Sequence, residues 1–303
     1  MNDSAIKSRS PHPFLSLSGS LAGAVLGAAA LMSGNVVFAQ NTTDLPTPAA
    51  DVVPPGAEKV PSFQLPQEVA QTLTAMDKAA TDQQLKRLLR FYHPDFQHSD
   101  GLTRQSLKSV LKAFWNQYED ISYSTEVLAW EADSEGGGTA TTKTTITGLQ
   151  TLEDQEMRLT ATIKSRQRWL NGQMLEQTIT AEQSQLTSGD NPPKITVSLP
   201  EQVKIGGTFN FDVVVDAPLE KRLLLGTAIE EVISPERYLK QPTLKLELLP
   251  AGGLFKVGKA PKKPTSEWIS AILVQDGGMV VISRRLTVVK QTTDTKQSLL
   301  LTP

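Results

Sequence analysis

The chain has 303 residues, 39% hydrophobic and 20% charged, with Lys+Arg 30 against Asp+Glu 32 and a formal net charge of -2. That length suffices for about two domains of roughly 100 to 200 residues, and the balanced charge excludes the basic excess of a nucleic-acid binder. Cys is absent and only three His occur, which excludes disulfide scaffolds, thiolate metal sites, a Cys nucleophile and attachment through an acylated cysteine.

Lys7 and Arg9 precede a small-residue apolar stretch from Phe14 to Met32, and Val37-Phe38-Ala39 follows. This order predicts a secretory signal over residues 1–39, cleaved after Ala39. An uncleaved anchor is the competing reading, because 19 residues approach the ~20 needed to cross a bilayer; Ser16, Ser18, Gly19 and Ser20 dilute the run. Residues 40–66 carry six prolines and few large apolar side chains, and read as an extended, disordered linker. The expectation is an exported protein of the periplasm, the cell envelope or a thylakoid lumen.

Residues 67–187 read as a first folded unit. Pro66 suits helix entry, and Val69, Leu73, Met76 and Ala80 form one apolar stripe. Asp82 is positioned to cap a second helix carrying Leu85, Leu88, Leu89 and Tyr92, closed by Pro94 and followed by a loop from Asp95 to Gly101. Thr103 suits the N-cap of a third helix bearing Leu107, Val110, Leu111, Phe114, Trp115 and Tyr118. The period then changes to two: Ser122 to Trp130, Thr139 to Gly148, Glu156 to Trp169 and Gln173 to Glu182 read as strands, with Asn171-Gly172 the turn of a hairpin.

Three amphipathic helices before a meander of long strands require a sheet that curls around the helices, an α+β unit. Phe91-Tyr92-His93-Pro94-Asp95-Phe96, then Asp100-Gly101, the helix with Phe114-Trp115 and Tyr118, and the stretch from Arg166 to Gly172 resemble the NTF2-like family, the cone-shaped fold shared by nuclear transport factor 2, ketosteroid isomerase and SnoaL-like proteins. The resemblance covers about 120 residues. It implies a cavity between helices and sheet, which some members use as an active site and others as a ligand pocket or dimer surface. A homodimer follows from the resemblance alone.

Ketosteroid-isomerase-like members use a carboxylate base with hydrogen-bond donors in an apolar pocket. By alternation, the inner faces hold Ala140, Thr142, Thr144 and Ile146, then Ser165 and Gln167, then Leu175, Gln177, Ile179 and Ala181, with no acid or base among them. Tyr92, Trp115, Tyr118, Ser165, Gln167 and Gln177 are the expected pocket residues. His93 and Asp95 are the closely spaced pair that an enzyme of isomerase or dehydratase type would use, and the competing reading has them packing and capping a helix end. Their spacing with His98 matches no established metal site. No cofactor motif occurs: there is no phosphate-cradling Gly loop, GxSxG or HExxH.

Ser188 to Pro193 marks a boundary by turn chemistry. Across 192–290, runs at Lys194 to Leu199, Thr208 to Val215, Leu223 to Ile233, Thr243 to Leu248, Trp268 to Gln275 and Met279 to Val289 read as six short strands. They predict an all-β sandwich that resembles the immunoglobulin-like modules of exported bacterial proteins, with a cyanobacterial style of composition. Lys256, Lys259, Lys262 and Lys263 cluster beside Phe255 in what reads as a loop. That loop would dock on an acidic partner or anionic lipid headgroups, or else keep a sheet edge soluble. Residues 291–303 read as a disordered tail. The sequence thus predicts a non-catalytic exported binding or assembly module, with a protein partner or a small apolar ligand, and no nucleic acid. The alternative is an isomerase or dehydratase using the NTF2-like cavity.

Overall fold

The structure, a computed structural model, describes residues 64–134, 136–152, 155–220, 222–240 and 244–290. The expected signal segment, most of the Pro-rich linker and the expected tail lie outside these residues.

Helix α1 (Gln67–Thr81) starts directly after Pro66 and buries Leu73, Met76, Ala79 and Ala80. The second helix departs from its expected form. It is a single turn, α2 (Leu85–Leu88), continued by a 3-10 turn at Leu89–Phe91. Pro94 does not simply stop a helix. It lies within a strand, β1 (Tyr92–His98), where a loop was expected. That strand pairs parallel to the last strand of the meander, and its register shifts between Tyr92 and Gln97, so the missing proline N–H falls in the irregularity. Helix α3 (Arg104–Trp115) follows the sequence pattern closely. Thr103 caps it, accepting from the Ser106 amide, while the Ser106 hydroxyl accepts from the Thr103 amide at 2.8 Å.

Four long antiparallel strands come next: β2 (Asp120–Ala132), β3 (Gly138–Leu152), β4 (Gln155–Leu170) and β5 (Gln173–Ser188). Asn171 and Gly172 turn β4 into β5 with φ of 51° and 70°, the two positive values that a tight hairpin turn demands.

The remaining strands are β6 (Ile195–Ser198), β7 (Gln202–Lys204), β8 (Thr208–Val215), β9 (Leu224–Val232), β10 (Glu247–Leu248), β11 (Gly253–Lys259), β12 (Thr265–Gln275) and β13 (Gly278–Val289). The expected free-standing sandwich is corrected in one respect. β13 pairs with β5 from Met279 opposite Ser188 to Arg284 opposite Gln183. A single sheet therefore runs β10-β9-β12-β13-β5-β4-β3-β2 through both halves of the chain. The second layer is the short sheet β11-β8-β6, whose Phe209, Phe211 and Val213 pack on Ile269, Leu273, Val280 and Ile282 of the long one. The lysine-rich loop is corrected in its first part: Gly253–Lys259 is a strand paired along its length with β8, while Lys262 and Lys263 lie in the loop that follows it.

The other face of the long sheet holds α1 and α3. Leu73, Met76, Leu107, Leu111 and Phe114 meet Ile146, Leu159, Ala161 and Leu186, and the same core continues under Tyr238, Trp268, Ile272, Met279 and Val281. Hydrophobic burial, at about 25 cal/mol per Å² of apolar surface, thus acts across the two halves as well as within each.

Candidate functional site

Between the helices and the concave face of the meander, the side chains leave a cavity of about 140 Å³. A dry hole of about 150 Å³ holds one benzene. Its walls are mainly apolar, with Leu73, Met76, Leu107, Leu111, Ile146, Ile163 and Ile179 among them, and polar groups enter at three places.

Asp77 of α1 enters from the helix side. Its Oδ2 accepts from the Thr125 amide at 2.6 Å and its Oδ1 from the Thr125 hydroxyl at 2.7 Å. With the Thr125 proton so used, the Thr144 hydroxyl is the donor in the 3.0 Å contact between the two threonines. Burial raises the Asp77 pKa, and the Thr125 bonds only partly oppose this. Tyr92 and Tyr123 also line this part of the wall. Burial, helped by the Asp77 charge, pushes Tyr92 up to about 12. Tyr123 is held up chiefly by burial, and its hydroxyl accepts from the Trp115 indole at 2.9 Å.

The floor is a hydrogen-bonded amide and hydroxyl group. Gln167 Nε2 reaches Thr142 Oγ1 at 3.1 Å and Ser165 Oγ at 3.2 Å, and these hydroxyls lie 3.0 Å apart. Gln167 is only 4% exposed, and its Oε1 has no partner. Whichever way the amide is turned, one of its ends stays unsatisfied, because both hydroxyls lie at the other.

At the third place, His98, Glu182 and Tyr238 line the wall, backed by a buried charge cluster. Arg285 donates in fork geometry to Asp100, Nη1 to Oδ1 at 2.9 Å and Nη2 to Oδ2 at 2.7 Å. Its Nε and Nη2 also reach Glu182 Oε2 at 3.1 and 2.9 Å. Trp268 Nε1 donates to that same oxygen at 3.1 Å, and the Tyr238 hydroxyl donates to Asp100 Oδ2 at 2.5 Å. Burial works to raise Asp100, yet the hydrogen bonds and charge of Arg285 hold it below the usual carboxylate range. Glu182 goes the other way, because its burial outweighs the pull of Arg285. His98 falls to about 4, mainly through burial, with Asp100 opposing and Arg285 assisting. The imidazole is therefore neutral at pH 7, and its Nδ1 accepts the Asp100 amide at 3.1 Å. That bond puts the proton on Nε2.

Of the residues the sequence singles out, Tyr92, Gln167 and Gln177 line the cavity. Ser165 lies in the floor network, and Gln177 Nε2 is 3.5 Å from its hydroxyl. Trp115 is buried between Tyr123 and an outer groove, not in the cavity. Tyr118 packs on Phe114 with ring centroids 4.9 Å apart and lies against Gly148. His93 and Asp95 do not converge on the cavity. The Asp95 carboxylate is 85% exposed, and His93 Nδ1 accepts the Asp95 amide at 3.1 Å, a local turn contact. Lys256 pairs with Glu230 at 3.0 Å, whereas Lys259, Lys262 and Lys263 are exposed.

The expectation of an interior without acid or base is overturned by Asp77, His98 and Glu182. Each escaped for a physical reason. Asp77 stands at the next stripe position of α1 after Leu73 and Met76 and before Ala80, offsets 0, 3, 4 and 7; a carboxylate on an apolar face was the available signal. His98 belongs to a strand read as a loop. Glu182 is turned inward by β-bulges in β5. Ser165 pairs with Ile179 but Lys164 with Ala181, and Trp169 pairs with Met174 but Arg168 with Glu176. The extra residues, Thr180 and Leu175, shift the phase, so Met174 and Glu182 are buried where Leu175 and Ala181 were expected.

A family described as a domain of unknown function (DUF8623) matches residues 190–289. No curated protein matches the chain. Among solved structures, similarity is found to a protein assigned as a scytalone dehydratase from Novosphingobium aromaticivorans, at 13% identity over 37% of this chain and 80% of that one, with a TM-score of 0.31. A loop-truncation variant of IdmH matches at 12% identity over 37% and 90%, TM-score 0.28. An epoxide hydrolase of the LEH-like kind from M. tuberculosis matches at 9% identity over 37% and 80%, TM-score 0.27.

Proposed function

We propose that the protein is an exported binding module whose NTF2-like cavity takes a small, largely apolar molecule bearing one hydrogen-bonding group. The observation that carries this reading is an apolar cavity of about 140 Å³ with Gln167 in its wall, whose amide has one end that no protein group satisfies. A buried amide end left unpaired costs about 1–3 kcal/mol, which a ligand hydroxyl or amine would recover once binding turns the Gln167 side chain toward the hole that the ligand's ring fills. Binding is favoured over turnover because the carboxylates are already committed: both Asp77 oxygens serve Thr125, and Glu182 Oε2 takes three donor groups. Export rests on the signal pattern of residues 1–39. Among the described residues no helix is long and apolar enough to cross a membrane.

Titration calorimetry with phenol and toluene tests the reading. Wild-type protein is expected to bind both and to prefer phenol, and Gln167→Leu to lose that preference while keeping toluene. Failure of the wild type to bind either probe refutes it.

One observation favours a second reading, acid-base turnover of isomerase or dehydratase type. Asp77, raised by burial, lies in the same apolar wall as Tyr92, whose phenol its charge perturbs, and such a pair can move a proton within a bound substrate. Mass spectrometry of a bound compound after incubation decides. Conversion by wild type that is lost in Asp77→Asn supports turnover, whereas recovery of unchanged compound leaves binding alone.

A further inference from the structure

On the flank of α3 beside its buried stripe, a groove of about 900 Å³ runs between α3 and the α2 turn. Lys86, Arg87, Arg90, Arg104, Lys108 and Lys112 line it, without a single Asp or Glu. Among the described residues none of these six cations is in an ion pair; other lysines such as Lys194, Lys204 and Lys290 are also unpaired, but they are not gathered in one concavity. In a chain of net charge -2, six cations gathered in one concavity without a carboxylate among them repel one another, and an anionic occupant would relieve that repulsion. The walls are fixed: Arg104 donates from Nε and Nη2 to the Leu89 carbonyl at 3.0 and 2.8 Å, tying α3 to the turn after α2.

We propose that this groove docks an extended acidic segment of a partner protein. The spacing selects that occupant. Arg104, Lys108 and Lys112 recur every fourth residue along α3, a step of about 6 Å, while alternate side chains of an extended strand recur every ~6.6 Å. Carboxylates at every second position would therefore meet one cation each, and the intervening side chains would face Leu85, Leu89 and Trp115 in the floor. A bilayer fits less well, because these apolar side chains are recessed beneath the charges instead of protruding beyond them.

Fluorescence anisotropy of the full chain with a labelled peptide of alternating Glu and Leu tests the proposal. The variants are Lys86→Glu/Lys108→Glu/Lys112→Glu in the groove and Lys194→Glu/Lys204→Glu/Lys290→Glu elsewhere; all six lysines are exposed, so both keep the fold and change net charge equally. The expected result is salt-sensitive binding that weakens at least about tenfold in the groove variant and less than about twofold in the control. Equal losses in both variants, or no binding by the wild type, overturn it. So does tighter capture of phosphatidylserine vesicles or an oligo-dT strand with the same loss in the groove variant, which would reassign the groove to a membrane or a nucleic acid.

Discussion

Arg285 comes from a strand of the family-matched half, is 1% exposed at its side chain, and pairs with two carboxylates from the other half. Removing it leaves Asp100 and Glu182 buried without compensation, a loss of about 3–5 kcal/mol for a broken buried pair. Arg285→Met should lower the urea midpoint accordingly, and adding Asp100→Asn and Glu182→Gln should restore much of it; no restoration would mean the arginine acts through packing alone. His98 contributes a dependence on pH with a defined sign. Its pKa is about 4 when folded against about 6.5 unfolded, so between these values the unfolded chain binds the extra proton and stability falls as pH falls. The full effect is about 3 kcal/mol at 1.36 kcal/mol per pKa unit. Measured as the difference between wild type and His98→Gln, which cancels the opposite trend of Glu182, the loss should appear between pH 6.5 and 4; a flat difference would place His98 in a wetter setting.

At the scale of elements, what the sequence discloses is periodicity. The α3 stripe, its Thr103 cap and the Asn171-Gly172 hairpin were legible because each is a local device with a fixed spacing. Thr103→Ala should cost about 1 kcal/mol in chemical denaturation, and an unchanged midpoint would show that the cap is redundant. The site was less legible because it depends on irregularities. A bulge such as that at Thr180 leaves no mark in a pattern of alternating residues, yet it moves Glu182 from outside to inside. β1 was hidden by Pro94, since a proline ordinarily argues against a strand and here lies in a register shift. Asp77 alone had a readable signature, a charge on an apolar face.

Over the whole molecule, the turn chemistry at Ser188 to Pro193 suggests a boundary, and nothing local in the sequence shows that β5 and β13 pair across it. The long sheet, the shared core and the Arg285 cluster make the halves interdependent. A chain ending near Gly189 should therefore expose the β5 edge and the face that Trp268 and Met279 cover, and lack a cooperative thermal transition. Full-length protein should melt in one step, and two separate transitions would show that the halves fold independently.

The central claim is that the cavity receives a ligand, and methyl NMR during a phenol titration addresses it most directly. Ile146, Ile163 and Ile179 border the cavity, whereas Ile269 and Ile282 belong to the packing between the two sheets. Saturable shifts confined to the first three methyls are expected, whereas shifts spread over both sets, or none in the first, would contradict it.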